Sequence, residues 1–149
     1  MRRENLNGGF PEFGAALRVM GTGLDLAGIS SSLGISPTHV HRQGDPGPLK
    51  KPFTLDMWSL ESPLDPAEPL EAHLKWLQTA LSPHHEFLSS LRKLATLDIY
   101  CNAMYFSDQN SLELTPEVLR LFTELNIPLG VSILLLPEED SDSTRVAHP

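Results

Sequence analysis

The chain has 149 residues and a formal net charge of −8, from 11 Lys+Arg against 19 Asp+Glu. That length supports one domain, able to bury roughly two-thirds of its unfolded surface without disulfides or a metal. The charge opposes phosphate backbones and anionic bilayers, so neither nucleic acid nor membrane is an expected partner.

No run approaches the ~20 apolar residues of a spanning helix, and the opening residues lack the apolar core of a signal peptide. A single cysteine, Cys101, excludes an internal disulfide and points to a reducing, cytoplasmic setting.

Residues 1–12 show no apolar periodicity and read as a flexible arm, and a single domain is expected over 13–136. Phe13, Ala15, Leu17 and Val19 alternate with Gly14, Ala16, Arg18 and Met20, the period of a half-buried strand. Gly21 and Gly23 end it. Asp25 is placed to cap a short helix with Leu26, Ile29 and Leu33 inward, and Gly34 to stop it in the left-handed region. Residues 36–52 hold four prolines and two glycines and read as a loop. Within it, 38–43 predict an edge strand exposing His39, His41 and Gln43 on one side. A second strand at 57–62 points Trp58 into the core and ends at Pro63.

Pro63, Pro66 and Pro69 keep the chain extended as far as a helix whose Leu70, Leu74, Leu77 and Leu81 form one stripe, flanked by Trp76. Ser82 and Pro83 close it and start another, with Phe87, Leu88, Leu91 and Leu94 inward. Leu97, Ile99, Cys101, Ala103 and Tyr105 then give the buried side of a long strand. After a polar loop at 107–111, Thr115, Pro116 and Glu117 mark a helix start, with Val118, Leu119, Phe122 and Leu125 inward and Asn126 at its end. Residues 129–136, apolar on both sides, predict a central strand covered on both faces. The acidic tail at 137–149 is expected to be disordered. The class is α+β: a mostly antiparallel open sheet with helices mainly on one face, a ferredoxin-like variant.

Complete catalytic patterns are missing. His39 and His41 form an H-x-H pair with His73 as a third candidate, yet no cysteine or acid stands at ligand spacing, so no metal is expected. Cys101 sits on the inward side of its strand and reads as an inert core thiol. No serine lies in G-x-S-x-G, and Gly21 and Gly23 lack the third glycine or the lysine of a phosphate loop. Asp98 is placed to face Asp56 or Glu61, but the spacing names no dyad. Neither a cofactor nor a catalytic residue is expected. One group uses residue types favoured at binding sites: Thr38, His41, Arg42, Trp58 and His73, from the loop, the second long strand and the first long helix.

Several runs carry a resemblance. Leu24-Asp25-Leu26, Leu33-Gly34-Ile35-Ser36-Pro37-Thr38 and His41-Arg42-Gln43-Gly44-Asp45 come first, then Trp58-Ser59-Leu60-Glu61-Ser62. Leu70-Glu71-Ala72-His73-Leu74-Lys75-Trp76-Leu77 and Leu114-Thr115-Pro116-Glu117-Val118-Leu119 follow. In this order, over residues 13–136, they resemble the bacterial family called domain of unknown function 4279. The chain departs from that pattern at 107–111, where a glycine-rich turn is expected. The resemblance implies a bacterial cytosolic protein and supplies no catalytic residues.

The expected function is non-enzymatic binding, in the manner of an immunity protein whose acidic surface masks a basic toxin. The alternative is a small-ligand binder or enzyme with a pocket near His41, Arg42, Trp58 and His73. A third possibility is a homodimer along an exposed sheet edge.

Overall fold

Residues 9–136 are described by a computed structural model. Most of the arm at 1–12 and the whole tail at 137–149 lie outside the described residues. The first alternating run forms β1 (Glu12–Gly21), with Ala15, Leu17 and Val19 buried. Both ends of α1 (Leu26–Leu33) are as the sequence implies. Asp25 Oδ1 accepts from the Gly28 N–H at 3.0 Å, and Gly34 closes the helix at φ 64°.

The remaining helices are α2 (Leu70–Leu81), α3 (His85–Leu91) and α4 (Pro116–Leu125), with one 3₁₀ turn, Ser82–His84, joining α2 to α3. Two inward expectations are corrected. Helix α3 stops at Leu91, and the turns after it swing Leu94 out to 79% exposure. In α4 the stripe is Val118, Leu121, Phe122 and Leu125, spaced three, one and three apart, so Leu119 lies beside it and faces out. Thr115 occupies the cap position without a cap bond from its hydroxyl. Its N–H donates instead to Glu71 Oε1 at 2.7 Å, pinning α4 to α2. Hydrogen bonding to Thr115 holds the Glu71 carboxyl below the usual range.

One open five-stranded sheet runs in the order β2 (His39–His41), β3 (Asp56–Glu61), β1, β4 (Thr96–Tyr105) and β5 (Leu129–Leu135). All its pairings are antiparallel except β4 with β5. That parallel pair needs a crossover, which α4 provides as the βαβ unit of the fold. The chain is therefore α+β with an open, mostly antiparallel sheet.

Strand β5 corrects another expectation, because it lies at the edge and not the centre. Only Leu129 and Val131 pack against the core, while Ile133, Leu134 and Leu135 are 63%, 50% and 56% exposed. A run apolar on both sides looks alike in sequence whether layers cover it or an edge leaves it bare.

The core fills the space between the sheet and the helices. Leu17, Val19, Trp58, Ile99 and Cys101 meet Leu70, Leu74, Leu77, Leu81, Leu88 and Val118 there, all without solvent access. Trp58 Nε1 donates to Ser30 Oγ at 3.0 Å, which ties β3 to α1. Burial pushes the Cys101 thiol up to about 12, so it is an unreactive core group. No helix among the described residues is long and apolar enough to cross a membrane.

Candidate functional site

Side chains alternate across a strand, so each residue that feeds the core has a neighbour on the opposite, helix-free face. The ladder registers assemble that face. Arg18 stands between Ser59 on β3 and Asp98 on β4, and Ser59 is next to His39 on β2. One step along, Ala16 is opposite Tyr100, which is opposite Gly130. Beyond them Gly14, Asn102 and Ser132 continue the row.

The centre of this face is prearranged. Arg18 Nε donates to Asp98 Oδ1 at 2.8 Å and its Nη2 to Oδ2 at 2.6 Å, a two-pronged pairing across the strands. Donating to Asp98 strengthens the hold of Arg18 on its proton. The same guanidinium lies over the Tyr100 ring, 4.4 Å from its centroid. Tyr100 itself is 37% exposed. Its neighbours across the sheet are small, Ala16 and Gly130, and a Cβ at Gly130 would make ordinary contact with the ring, 3.9 Å from Tyr100 Cδ2. Glu12 and Glu61, both exposed, sit on the same face at its borders.

At the β2 end the face is built of rings. His41 stacks on Phe53 at 3.5 Å between centroids, and His39 Nε2 meets His41 Nδ1 at 2.8 Å. His41 is thus buried, which corrects the expectation that it is exposed with His39: the loop after β2 folds Phe53 back over it. Burial, helped by the neighbouring His39, lowers the His41 pKa and favours the neutral ring.

The residues singled out in the sequence go to separate places. Arg42 donates from Nη1 to the Leu24 carbonyl and, at 3.2 Å, to Asp56 Oδ2. Asp56 also accepts from the Leu24 N–H at 2.9 Å and the Gln43 N–H at 2.8 Å. Those two backbone bonds, Gln43 first, hold its carboxyl below the usual range. This carboxylate clamps the β1–α1 turn to the loop after β2. It points to the helix side while Asp98 points away, so the two acids do not face one another.

Thr38 accepts the Glu61 N–H at 2.9 Å, and Trp58 lies in the core. His73 is 1% exposed on α2, with Nδ1 2.8 Å from Ser62 Oγ and Nε2 without a partner. Thr38, His41, Arg42, Trp58 and His73 share no hydrogen-bond partner with one another. Recesses do exist elsewhere. The larger, about 430 Å³, runs between α1 and α3 past Leu24, Ile29, Phe87 and Leu91, and the smaller, about 160 Å³, lies between α2, α3 and α4. Arg18, Tyr100 and Phe53 are what the sequence reading passed over; the signal was an arginine and an aromatic at outward positions of two strands whose register was unknown.

The same chain segment matches one family of domains, the domain of unknown function DUF4279, over residues 11–136. The chain belongs to the DUF4279 family. That stretch takes in every strand of the sheet from β1 to β5, so the helix-free face of this DUF4279 domain is built wholly within the matched segment. No curated protein and no solved structure matches the chain.

Proposed function

We propose that this DUF4279 domain works by protein–protein contact through the helix-free face of its sheet, as a bacterial cytosolic immunity-type protein that masks a basic toxin surface. The observation that carries this reading is the Arg18–Tyr100–Asp98 arrangement at the middle of an open face. Arginine and tyrosine are the residue types that anchor interfaces, and here neither has to be ordered on binding because each already holds the other.

Charge supports a basic partner. Arg18 and Asp98 cancel, Glu12 and Glu61 leave the face acidic, and the chain carries −8 in all. Away from this face, Asp56 in its clamp and Glu71 between helices hold the fold, and the Cys101 thiol is buried in the core. The test takes each protein encoded beside this gene, produces it alone and together with the chain, and measures cell growth and complex formation. The expected result is a basic, growth-arresting product that is silenced by the chain and bound to it in a salt-sensitive complex. Absence of protection and of any complex would overturn the proposal.

A further inference from the structure

The outer edge of β5 is long, apolar and uncharged. The Ile99 N–H donates to the Pro128 carbonyl at 3.4 Å and the Leu136 N–H to the Tyr105 carbonyl at 2.9 Å, so even-numbered backbone groups here face β4. Those of Leu129, Val131, Ile133 and Leu135 therefore point outward. Among the described residues no strand pairs with them. Sheet edges in soluble proteins usually carry a lysine, a proline or a bulge that discourages pairing, and Leu129–Leu135 has no charged residue and no proline.

We propose that β5 pairs antiparallel with β5 of a second copy, about a two-fold axis through Ser132. The strand is self-complementary in that register. Leu129 stands opposite Leu135, Gly130 opposite Leu134, Val131 opposite Ile133 and Ser132 opposite itself. Outward backbone groups then meet outward ones at Val131 and Ile133, as an antiparallel ladder requires. On the helix side the pairing joins Leu129, Val131, Ile133 and Leu135 of both copies into one aliphatic row.

On the open side Leu134 of the second copy drops into the gap left by Gly130, beside the Tyr100 ring. A slip of one residue sets outward groups against inward ones, and a slip of two strands an apolar end. The result is a continuous ten-stranded sheet, formed whether or not its open face binds a partner. A strand pair buries less than the ~1,200 Å² of standard interfaces, so a weak, concentration-dependent dimer is expected.

Sedimentation velocity of the full chain from about 1 to 500 μM tests this, with mass rising from 16.5 kDa toward twice that value as concentration increases. Ile133→Lys should stay monomeric throughout with an unchanged melting profile. Ser132→Cys should form a disulfide-linked dimer on oxidation, since residues in a non-hydrogen-bonded antiparallel pair have Cα atoms ~4.5 Å apart. Gly130→Cys, far from its own symmetry mate, should not. A monomer at every concentration, a dimer that survives Ile133→Lys, or equal cross-linking at both positions overturns the proposal. So does protection of the Val131 and Ile133 amides from exchange in a monomer, independent of concentration, because another part of this chain would then cover the edge.

Discussion

Replacing His73 by leucine should change how stability depends on acid. The imidazole is 1% exposed, one nitrogen meets Ser62 Oγ, and the other has no partner. Burial lowers its pKa; Glu68 and Asp65 in the preceding loop pull the other way without reversing the shift. The folded state therefore binds the proton less readily than the unfolded chain, whose histidine takes it up near pH 6.5. Stability is full above that value and falls as pH drops through it.

Each such group contributes at most about 1.4 kcal/mol per pH unit. His41 is shifted the same way, so both rings steepen the acid loss of the wild type, and His73→Leu should remove its own share and fall less steeply. At pH 7.5 an unpaired buried polar atom costs about 1–3 kcal/mol, and the partly buried Ser62 hydroxyl still accepts from the Leu64 N–H, so the variant should be as stable as wild type or up to about 1 kcal/mol more so. Urea titrations at intervals between pH 7.5 and 5 read both quantities. Parallel pH profiles, or a loss of more than about 3 kcal/mol at pH 7.5, would refute the orphaned, neutral imidazole.

Asp56→Asn should lower the thermal midpoint and speed amide exchange at Leu24 and Gln43, the two backbone donors it holds. Because the carboxyl is held below its usual range, the stability it lends is present above the unfolded-state value and lost as pH falls through the folded one; the variant should lose that part of the acid transition, and unchanged exchange at both amides would contradict the clamp. Trp58→Phe removes the bond to Ser30 and leaves a void in the core, which should cost about 2 kcal/mol in urea unfolding. Cys101 should resist a thiol reagent at pH 8 in the native protein and react fully in urea; prompt native labelling would mean the strand opens readily.

The elements were legible in the sequence where one periodicity dominated. Ala15, Leu17 and Val19, or Leu70, Leu74, Leu77 and Leu81, tell which side is inward because a polar side contrasts with it. The contrast fails at Leu129–Leu135, apolar throughout, and the central strand expected there is an edge. It also fails near helix ends, where Leu94 continues the apolar spacing after the helix has stopped.

The site was less legible because it depends on register. Arg18 and Asp98 are 80 residues apart, and only the β1–β4 ladder makes them partners. Arg42 and Trp58 are close in sequence order yet go to opposite tasks, one bonding a loop carboxylate and the other filling the core. His41 is covered on the open face by Phe53, a contact that crosses a turn-rich loop no pattern specifies.

The most direct test of the proposed docking face is the affinity of the basic neighbouring-gene product for wild type and for Tyr100→Ala, measured by titration calorimetry at fixed salt. Tyr100 is 37% exposed on the open face and outside the core, so the fold should survive its truncation while the anchor is lost. Binding should weaken at least about tenfold, the least expected of an interface anchor. Equal affinity of the two proteins, both folded, would place the contact elsewhere and contradict the account.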